Sequence, residues 1–377
     1  ARILIENRAL IKKRTGLDFV IKGIADLDVK RDRGIKLPEE ILTIDAKRLL
    51  ADPDIDIIVE LIGGIHPAKD FIIQAMRNKK YVVTANKALL ATEGNELFSE
   101  AEKNGVDIGF EASVAGGIPI IKVLREGLVA NNIAAVYGII NGTSNYILTK
   151  MTDEKVEFAD ALKEAQRLGY AEADPTFDIE GIDSAHKLTI LSSLAYGIAF
   201  SYDEVYKEGI TKITRQDIEF ASELGYKIKL LAITKLSDGE VEMRVHPTMI
   251  PNEHLISKVD GVFNAVYVEG DAVGATMYYG RGAGDMPTGS AVVADIVDMG
   301  KKIVSGQKIE VGSQMSEVKI KKIEEIESMY YFRFSALDEP GVLSKISGIL
   351  GNNNISIASV IQKGRRIGGS VPLVVLT

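Results

Sequence analysis

Five carboxylates crowd into residues 172–183 (Glu172, Asp174, Asp178, Glu180 and Asp183), and one lysine, Lys187, follows the last of them at helical spacing. An amine steered by carboxylates can give a proton to an oxygen on a reacting carbon, or take one from it. The surrounding residues fix where such groups would stand. Gly169 closes a preceding helical stretch, and Pro175 forbids helix just before it. Asp183 stands where an N-cap belongs, and a helix is predicted over 184–195. Lys187 then lies about one turn on, roughly on the face of Asp183. The segment therefore reads as a fixed acidic loop beside one lysine at a helix entrance. Ordinary capping followed by a solvated acidic loop is the plainer reading of the same residues.

The whole pattern separates the two readings. Ala165, Gly169, Tyr170, Ala171, Asp174-Pro175, Asp178-Ile179, Gly181, Asp183 and Lys187 resemble the signature of homoserine dehydrogenases at every diagnostic position. The resemblance covers nearly the whole chain and is strongest over 81–194. It implies NAD(P)-dependent interconversion of L-homoserine and L-aspartate 4-semialdehyde, within threonine, methionine and isoleucine biosynthesis. It also implies roles. Lys187 is the expected general acid/base, with Asp178 orienting it. Glu172 and Asp183 are expected to bind the substrate ammonium and hydroxyl, with Lys87 helping to hold substrate or cofactor. Asp174 and Glu180 read as structural. Reducing an aldehyde needs hydride at carbon and a proton at oxygen, and an ammonium can stabilise the developing alkoxide and supply that proton. The reverse direction needs a neutral amine. An unperturbed lysine titrates near about 10.4. Burial or a cationic neighbour would lower that value and adjacent carboxylates would raise it; the sequence leaves open which prevails.

These groups need elements to carry them. Residues 1–14 read as an amphipathic helix with Ile3, Leu4, Leu10 and Ile11 apolar. Strands at 19–25, 55–61, 81–84 and 106–110 and helices at 67–78 and 94–104 follow, which implies a parallel sheet with crossover connections. A dinucleotide-binding fold normally opens with a strand and a Gly-x-Gly-x-x-Gly turn. Here the chain opens on what reads as the helix after that turn, so an N-terminal truncation is expected and no residue is assigned to the pyrophosphate loop. Asp26 ends the second strand of the complete fold, where a carboxylate suits the ribose of NAD; Lys30, Arg31 and Arg33 close by suit the 2′-phosphate of NADP. A charged surface turn is the alternative for all four. Ligands of open parallel sheets bind outside the carboxyl ends of strands. Gly63, Thr84, Ala85 and Lys87 stand at such ends. With Gly169 and Gly282 they are the residues expected at the cofactor.

Residues 111–119 read Glu-Ala-Ser-Val-Ala-Gly-Gly-Ile-Pro. The Gly116-Gly117 pair lets backbone carbonyls converge, and Pro119 can start a helix through about 131. Taken alone this is a simple turn. Similar enzymes of the family place a sodium or potassium ion here, which would fall to Glu111, Val114, Gly116 and Ile118. A strand over 134–140, a turn at 141–145 into a capped helix, and strands at 229–235, 241–247 and 265–270 suggest a mixed α+β substrate domain. By resemblance its sheet pairs with a second subunit, giving a homodimer or higher homo-oligomer. The run Gly280-Arg281-Gly282-Ala283-Gly284 precedes a helix over about 291–302 and by resemblance returns the chain toward the nicotinamide. A charged linker is expected over 319–328. A strand over 330–336, a turn Asp338-Glu339-Pro340-Gly341-Val342-Leu343 into a helix through 350, and strands at 355–362 and 370–376 resemble an ACT domain without its last helix and strand. Its effector would be an amino acid, with threonine the leading candidate. The expected organisation is a Rossmann-type α/β nucleotide domain (1–110 with about 285–318), a mixed-sheet substrate and dimerisation domain (111–284), a linker (319–329) and a partial ACT-like domain (330–377).

Composition narrows the alternatives. The 377 residues carry 45 Lys and Arg against 53 Asp and Glu, a formal charge of −8, which leaves no electrostatic footprint for nucleic acid. No apolar run is long enough to span a bilayer, so no membrane partner is expected. The absence of cysteine excludes disulfides, thiolate zinc sites and thiol nucleophiles, and fits a reducing cytoplasm. It also argues against an aspartate-semialdehyde dehydrogenase, whose phosphorylating chemistry uses a cysteine. His66, His186, His246 and His254 show no metal-ligand spacing; His186 reads as a packing residue behind the site. A sugar-type oxidoreductase would centre on a different arrangement of lysine and histidine. The non-enzymatic alternative, an amino-acid sensor that has lost its cofactor turn, is distinguished by whether a glycine turn lies upstream.

Overall fold

The computed structural model describes residues 1–306, 318–364 and 369–377. The opening helix is broken: α1 (Arg2–Glu6) and α2 (Arg8–Thr15) meet at Asn7, whose backbone (φ −100°, ψ 12°) leaves the helical region. Asparagine competes for backbone hydrogen bonds, which weakens a helix at that point. The strand expected over 19–25 narrows to β1 (Ile24–Ala25), because its described partner β2 (Leu42–Thr43) is itself two residues long. After α3 (Ala46–Ala51) come β3 (Ile57–Glu60), α4 (Ala68–Arg77), β4 (Tyr81–Thr84), α5 (Lys87–Asn104) and β5 (Ile108–Gly109). β3, β4 and β5 pair in parallel, as the alternation predicts. α4 buries Ala68, Ile72, Ala75 and Met76, an amphipathic repeat. α5 starts at Lys87 rather than near Gly94. The Asn86 side chain accepts from the Leu89 N–H and caps it. Gly94 lies inside the helix, where an added Cβ would stand 2.8 Å from the Phe200 ring.

The chain leaves the parallel sheet through the 111–118 turn and α6 (Ile120–Lys122). One wider turn over Val123–Gly127 ends that helix short of the expected 131, with the Leu128 N–H donating to the Val123 carbonyl. Then follow β6 (Ile133–Ile139), α7 (Gly142–Glu154), α8 (Phe158–Arg167), α9 (Thr176–Ile179), α10 (Ile182–Tyr196), β7 (Tyr206–Lys207), α11 (Arg215–Glu223), β8 (Tyr226–Ser237), β9 (Glu240–Pro251), β10 (Phe263–Gly270), β11 (Gly274–Arg281) and α12 (Asp285–Ser305). β8 and β9 are a long hairpin closed by Asp238-Gly239, both with positive φ, as a two-residue turn between twisted strands requires. The mixed sheet runs β11-β10-β6-β8-β9-β12, with β7 on β9; the last strand, β12 (Lys319–Ile320), lies in the stretch expected to be a linker and adds parallel to β9. The glycine run at 280–284 is partly β11, and α12 starts before the expected 291. α12 packs Ala291, Val292, Ile296 and Met299 against Val83 and Ala112, returning the chain to the nucleotide sheet. The end of that expected return, 307–317, lies outside the described residues.

α10 carries Asp183 and Lys187. It is wedged between α5 on one side and β6, β8 and β9 on the other. Every residue from 183 to 192 is therefore buried, the polar ones included. The C-terminal module comprises β13 (Tyr331–Leu337), α13 (Val342–Asn352), β14 (Ser359–Gln362) and β15 (Ser370–Leu376). Its sheet is antiparallel in the order β13-β15-β14, over a core of Ala336, Leu350, Leu373 and Val375. β14 begins at 359 rather than 355. The module docks on α11, where Arg333 Nε and Tyr331 OH donate to Asp217 Oδ1 at 2.6 and 2.8 Å. Among the described residues no helix is long and apolar enough to cross a membrane.

Candidate active site

The site is assembled where strand ends of the parallel sheet meet the start of α10. Glu60, the last residue of β3, is buried. Its Oε1 accepts from the N–H groups of Ile62 (2.6 Å) and Gly63 (3.0 Å), and its Oε2 accepts from Thr84 Oγ1 (2.7 Å) at the end of β4. Thr84 Oγ1 in turn accepts from the Asn86 N–H at 3.0 Å, and Asn86 Nδ2 donates to the Gly64 carbonyl at 2.7 Å. Two strand ends and one glycine turn are thus locked together, and Lys87 is launched from them in a fixed direction. Its Nζ lies 2.8 Å from Asp183 Oδ1.

Asp183 is held from both sides. Lys187 Nζ donates to Asp183 Oδ2 at 2.7 Å and to the Ile140 carbonyl, just past β6, also at 2.7 Å. Asn141 Nδ2 donates to Asp183 Oδ2 at 2.9 Å and to Asp178 Oδ1 at 2.7 Å. Asp183 is 3% and Lys187 8% exposed. Burial by itself would raise the Asp183 carboxyl, but the ammonium groups of Lys187 and Lys87 outweigh it and hold that carboxyl well below the usual range. For Lys187 the balance falls the other way. Burial lowers its pKa, Lys87 adds to the lowering, and Asp183 and Asp178 only partly oppose them. The buried Lys187 ammonium is therefore a stronger acid than a free lysine, and its neutral amine forms more readily.

The other expected residues fall as follows. Asp183 is no N-cap: Gly181 occupies that position with φ 77°, and Asp183 sits within the first turn with its carboxylate turned to the lysines. Asp178, expected to orient Lys187, acts on it through its charge and is linked to it by hydrogen bonds only by way of Asn141 and Asp183; the direct hydrogen-bond partners are Asp183 and the Ile140 carbonyl. Glu172 is exposed and its side chain makes no described hydrogen bond to the cluster; its carbonyl accepts from Gln166 Nε2. Asp174 accepts from Thr176 and Glu180 from Thr211, both structural contacts. His186 is wedged between Phe177 and Tyr202, its ring centroid 4.4 Å from that of Tyr202, and burial pushes its pKa down to about 4. Gly169, at φ 75°, makes the turn after α8. Gly282 must be glycine for packing, since a Cβ there would meet Asn264 Oδ1 at 1.1 Å. Ala85 packs beside the α12 contact.

The 111–118 turn is tightly constrained. The Glu111 carboxylate accepts from the N–H groups of Ile121 and Lys122, both at 2.9 Å, and its own N–H donates to Asp295 Oδ2 at 2.8 Å. That occupies the carboxylate; of the four carbonyls expected at a cation, those of Glu111 and Ile118 accept from the Val114 (3.5 Å) and Ile120 (2.8 Å) N–H groups. Gly116 (φ 52°) is pressed by the returning chain: a Cβ there would meet the Gly282 carbonyl oxygen at 2.5 Å. Among the described residues no group of three or more acidic, histidine or cysteine side chains could hold a metal.

The strand ends also fit a dinucleotide. Gly63 and Gly64 have φ of 79° and 70°, with open space where side chains would be. Leu61 and Ile62 beside them are 62% and 57% exposed, bare apolar surface at a carboxyl strand end. Farther along, Arg33 Nη2 pairs with Asp26 Oδ2 at 2.7 Å, so the two groups that bear on NAD against NADP neutralise each other.

A nucleotide-type parallel sheet that delivers one lysine to a buried Asp–Lys pair on a second domain defines a nicotinamide-dependent oxidoreductase with an appended regulatory module. Family models agree by segment: "Homoserine dehydrogenase, NAD binding domain" matches residues 5–111, "Homoserine dehydrogenase" matches 119–297 and "ACT domain" matches 330–377. The homoserine dehydrogenase of Neisseria gonorrhoeae is 49% identical over 100% of this chain and 88% of its own length, and that of Pseudomonas aeruginosa 50% identical over the same shares. The crystal structure of a homoserine dehydrogenase from Thiobacillus denitrificans superposes with a TM-score of 0.92 at 48% identity, covering 100% of this chain and 87% of that one. The chain belongs to the homoserine dehydrogenase family, and its activity is the NAD(P)-dependent interconversion of L-homoserine and L-aspartate 4-semialdehyde in amino-acid biosynthesis.

Glu60, Asn86 and Asn141 are the site residues that sequence reasoning passed over. Their only signals were a carboxylate ending an apolar strand and asparagines at strand-to-helix turns.

Proposed function

We propose that Lys187 is the general acid/base of this dehydrogenase and that Lys87 assists it. One observation carries this reading: the buried Asp183 carboxylate is gripped between two lysines, and Lys187 spends two of its three N–H groups on protein acceptors. The remaining N–H is the one available to a substrate oxygen. The nicotinamide nucleotide, when bound, supplies or accepts the hydride. In the reductive direction Lys187 gives its proton to the oxygen of the aldehyde, and the Lys87 ammonium stabilises the negative charge developing there. In the oxidative direction neutral Lys187 takes the hydroxyl proton, which its lowered pKa favours. Asp183 holds both amines in place. Glu172, on the exposed rim, and Asp178 receive the substrate ammonium.

The carbonyls of the 111–118 turn hold a sodium or potassium ion, the C-terminal module binds threonine, and a second copy pairs through the mixed sheet. Sedimentation of the full chain at twice the monomer mass would support the last of these. One assay reads most of the rest: homoserine-dependent reduction of NAD and of NADP, in sodium, potassium or tetramethylammonium buffer, with and without threonine. Turnover is expected with at least one nucleotide, higher in either metal cation and lower with threonine. Deleting residues 330–377 should abolish the threonine response. No reduction with either nucleotide would reject the catalytic reading; equal rates in tetramethylammonium would reject the cation.

A further inference from the structure

Residues 140 and 141 together touch Lys187, Asp183 and Asp178. The Ile140 carbonyl accepts from Lys187 Nζ, and the next side chain, Asn141, donates to both Asp178 and Asp183. Asn141 is 5% exposed, and its Oδ1 accepts from the Ser144 N–H at 2.8 Å, capping α7. Both amide N–H groups are thus directed to carboxylates while Oδ1 caps the helix. Ser144 Oγ donates to the Asp178 carbonyl at 2.9 Å, so the same turn also fixes the backbone of α9.

The first turn of α7 is anchored as firmly. Asn145, one turn on, donates to the carbonyls of Val259, Gly261 and Phe263 and accepts from the buried Lys229 ammonium. The cap is thus a rigid mount, not a loose turn.

We propose that Asn141 is a positioning residue of the dehydrogenase reaction: its neutral amide splits one donor each to Asp178 and Asp183, keeps the two carboxylates apart, and so aims the Lys187 amine. The proposal rests on Lys187 being the acid/base. Neutrality is the point. Lys187 is faced by Asp183 and His186 on its own helix, Lys87 at the start of α5 and Asp178 on α9. An amide adds two donors to that set with no charge. Asparagine, aspartate and serine are all good N-caps, so the cap can be kept while the charge and the donors change.

The test compares Asn141→Asp and Asn141→Ser with the parent protein, following kcat and kcat/KM for homoserine oxidation against pH, with thermal melts alongside. Both variants should stay folded but melt below the parent, because two buried donors to carboxylates are lost, and both should lose at least about tenfold in kcat. In Asn141→Asp the rising limb of the pH profile should move up by about one unit or more, since a third carboxylate favours protonated Lys187. Asn141→Ser turning over within twofold of the parent would overturn the proposal. So would a fall in rate with an unmoved limb in Asn141→Asp, which would mean that position 141 does not bear on the Lys187 amine. A Lys187→Ala protein with undiminished turnover would instead remove the acid/base reading on which it rests.

Discussion

Replacing Lys187 by alanine is expected to lower homoserine turnover by about 10²–10⁴-fold, the usual contribution of a positioned acid or base. The loss should appear in kcat, with a smaller change in KM, because Lys187 meets the reacting oxygen and the substrate's cationic end is held elsewhere. The fold should survive. Asp183 keeps the Lys87 ammonium at 2.8 Å and the Asn141 amide at 2.9 Å, so its charge is not stranded. The pH profile is the sharper readout. In the parent protein the rising limb of the oxidative reaction should lie below the ordinary lysine value of about 10.4, because burial and Lys87 lower the Lys187 pKa. In Lys187→Ala that limb should disappear, and a small primary amine added to the buffer should restore part of the rate. Full turnover in the variant, with the limb intact, would take the acid/base role away from Lys187.

The signature around Lys187 was legible because its punctuation is local. Gly169 needs a positive φ after α8, and Pro175 ends one segment and precedes α9, whatever the rest of the molecule does. Strand β4 was legible to the residue for a similar reason: a short apolar run between two clear breaks. What could not be read depends on tertiary partners. Glu60 looks like a charge at the end of a strand until Thr84 and the Gly63 turn stand beside it. Gly94 and Gly282 look like breakers, yet they are glycine because Phe200 and Asn264 occupy the space of their side chains. Asp183 was expected as a cap, since an acid before an apolar helix usually is one. Two lysines from different elements claimed it instead. The direction of the Lys187 pKa was beyond sequence altogether: it follows from α10 being enclosed by α5 and the mixed sheet, which no spacing reveals.

Asp183→Asn should damage both activity and stability, and the pH dependence of each separates the causes. Asparagine is nearly isosteric but cannot neutralise two ammonium groups. Removing one partner of a buried ion pair costs about 3–5 kcal/mol. Lys87 is partly exposed and can turn to water, so the penalty falls on Lys187. Its escape is to lose the proton. The Lys187 pKa should therefore fall further, and the rising limb of homoserine oxidation should move to lower pH, opposite to the shift expected for Asn141→Asp. The rate should still drop by at least about 10²-fold, because the amine is no longer aimed.

Stability follows the same signs. The Asp183 carboxyl is held low in the folded chain, so it contributes stability above its unfolded value of about 3.9 and loses it as pH falls through the lower folded value. The lowered Lys187 pKa has the same slope but the opposite contribution at neutral pH: it costs stability below the folded value, and the protein regains that stability as pH rises from the folded toward the unfolded lysine value, because the neutral amine needs no counter-charge. Melting temperatures of the parent and Asp183→Asn should thus differ most near neutral pH and converge toward pH 10. A constant difference across that range would mean that lost packing or hydrogen bonding, not stranded charge, destabilises the variant. A variant that melts with the parent and keeps its limb in place would mean that Asp183 does not govern the amine at all.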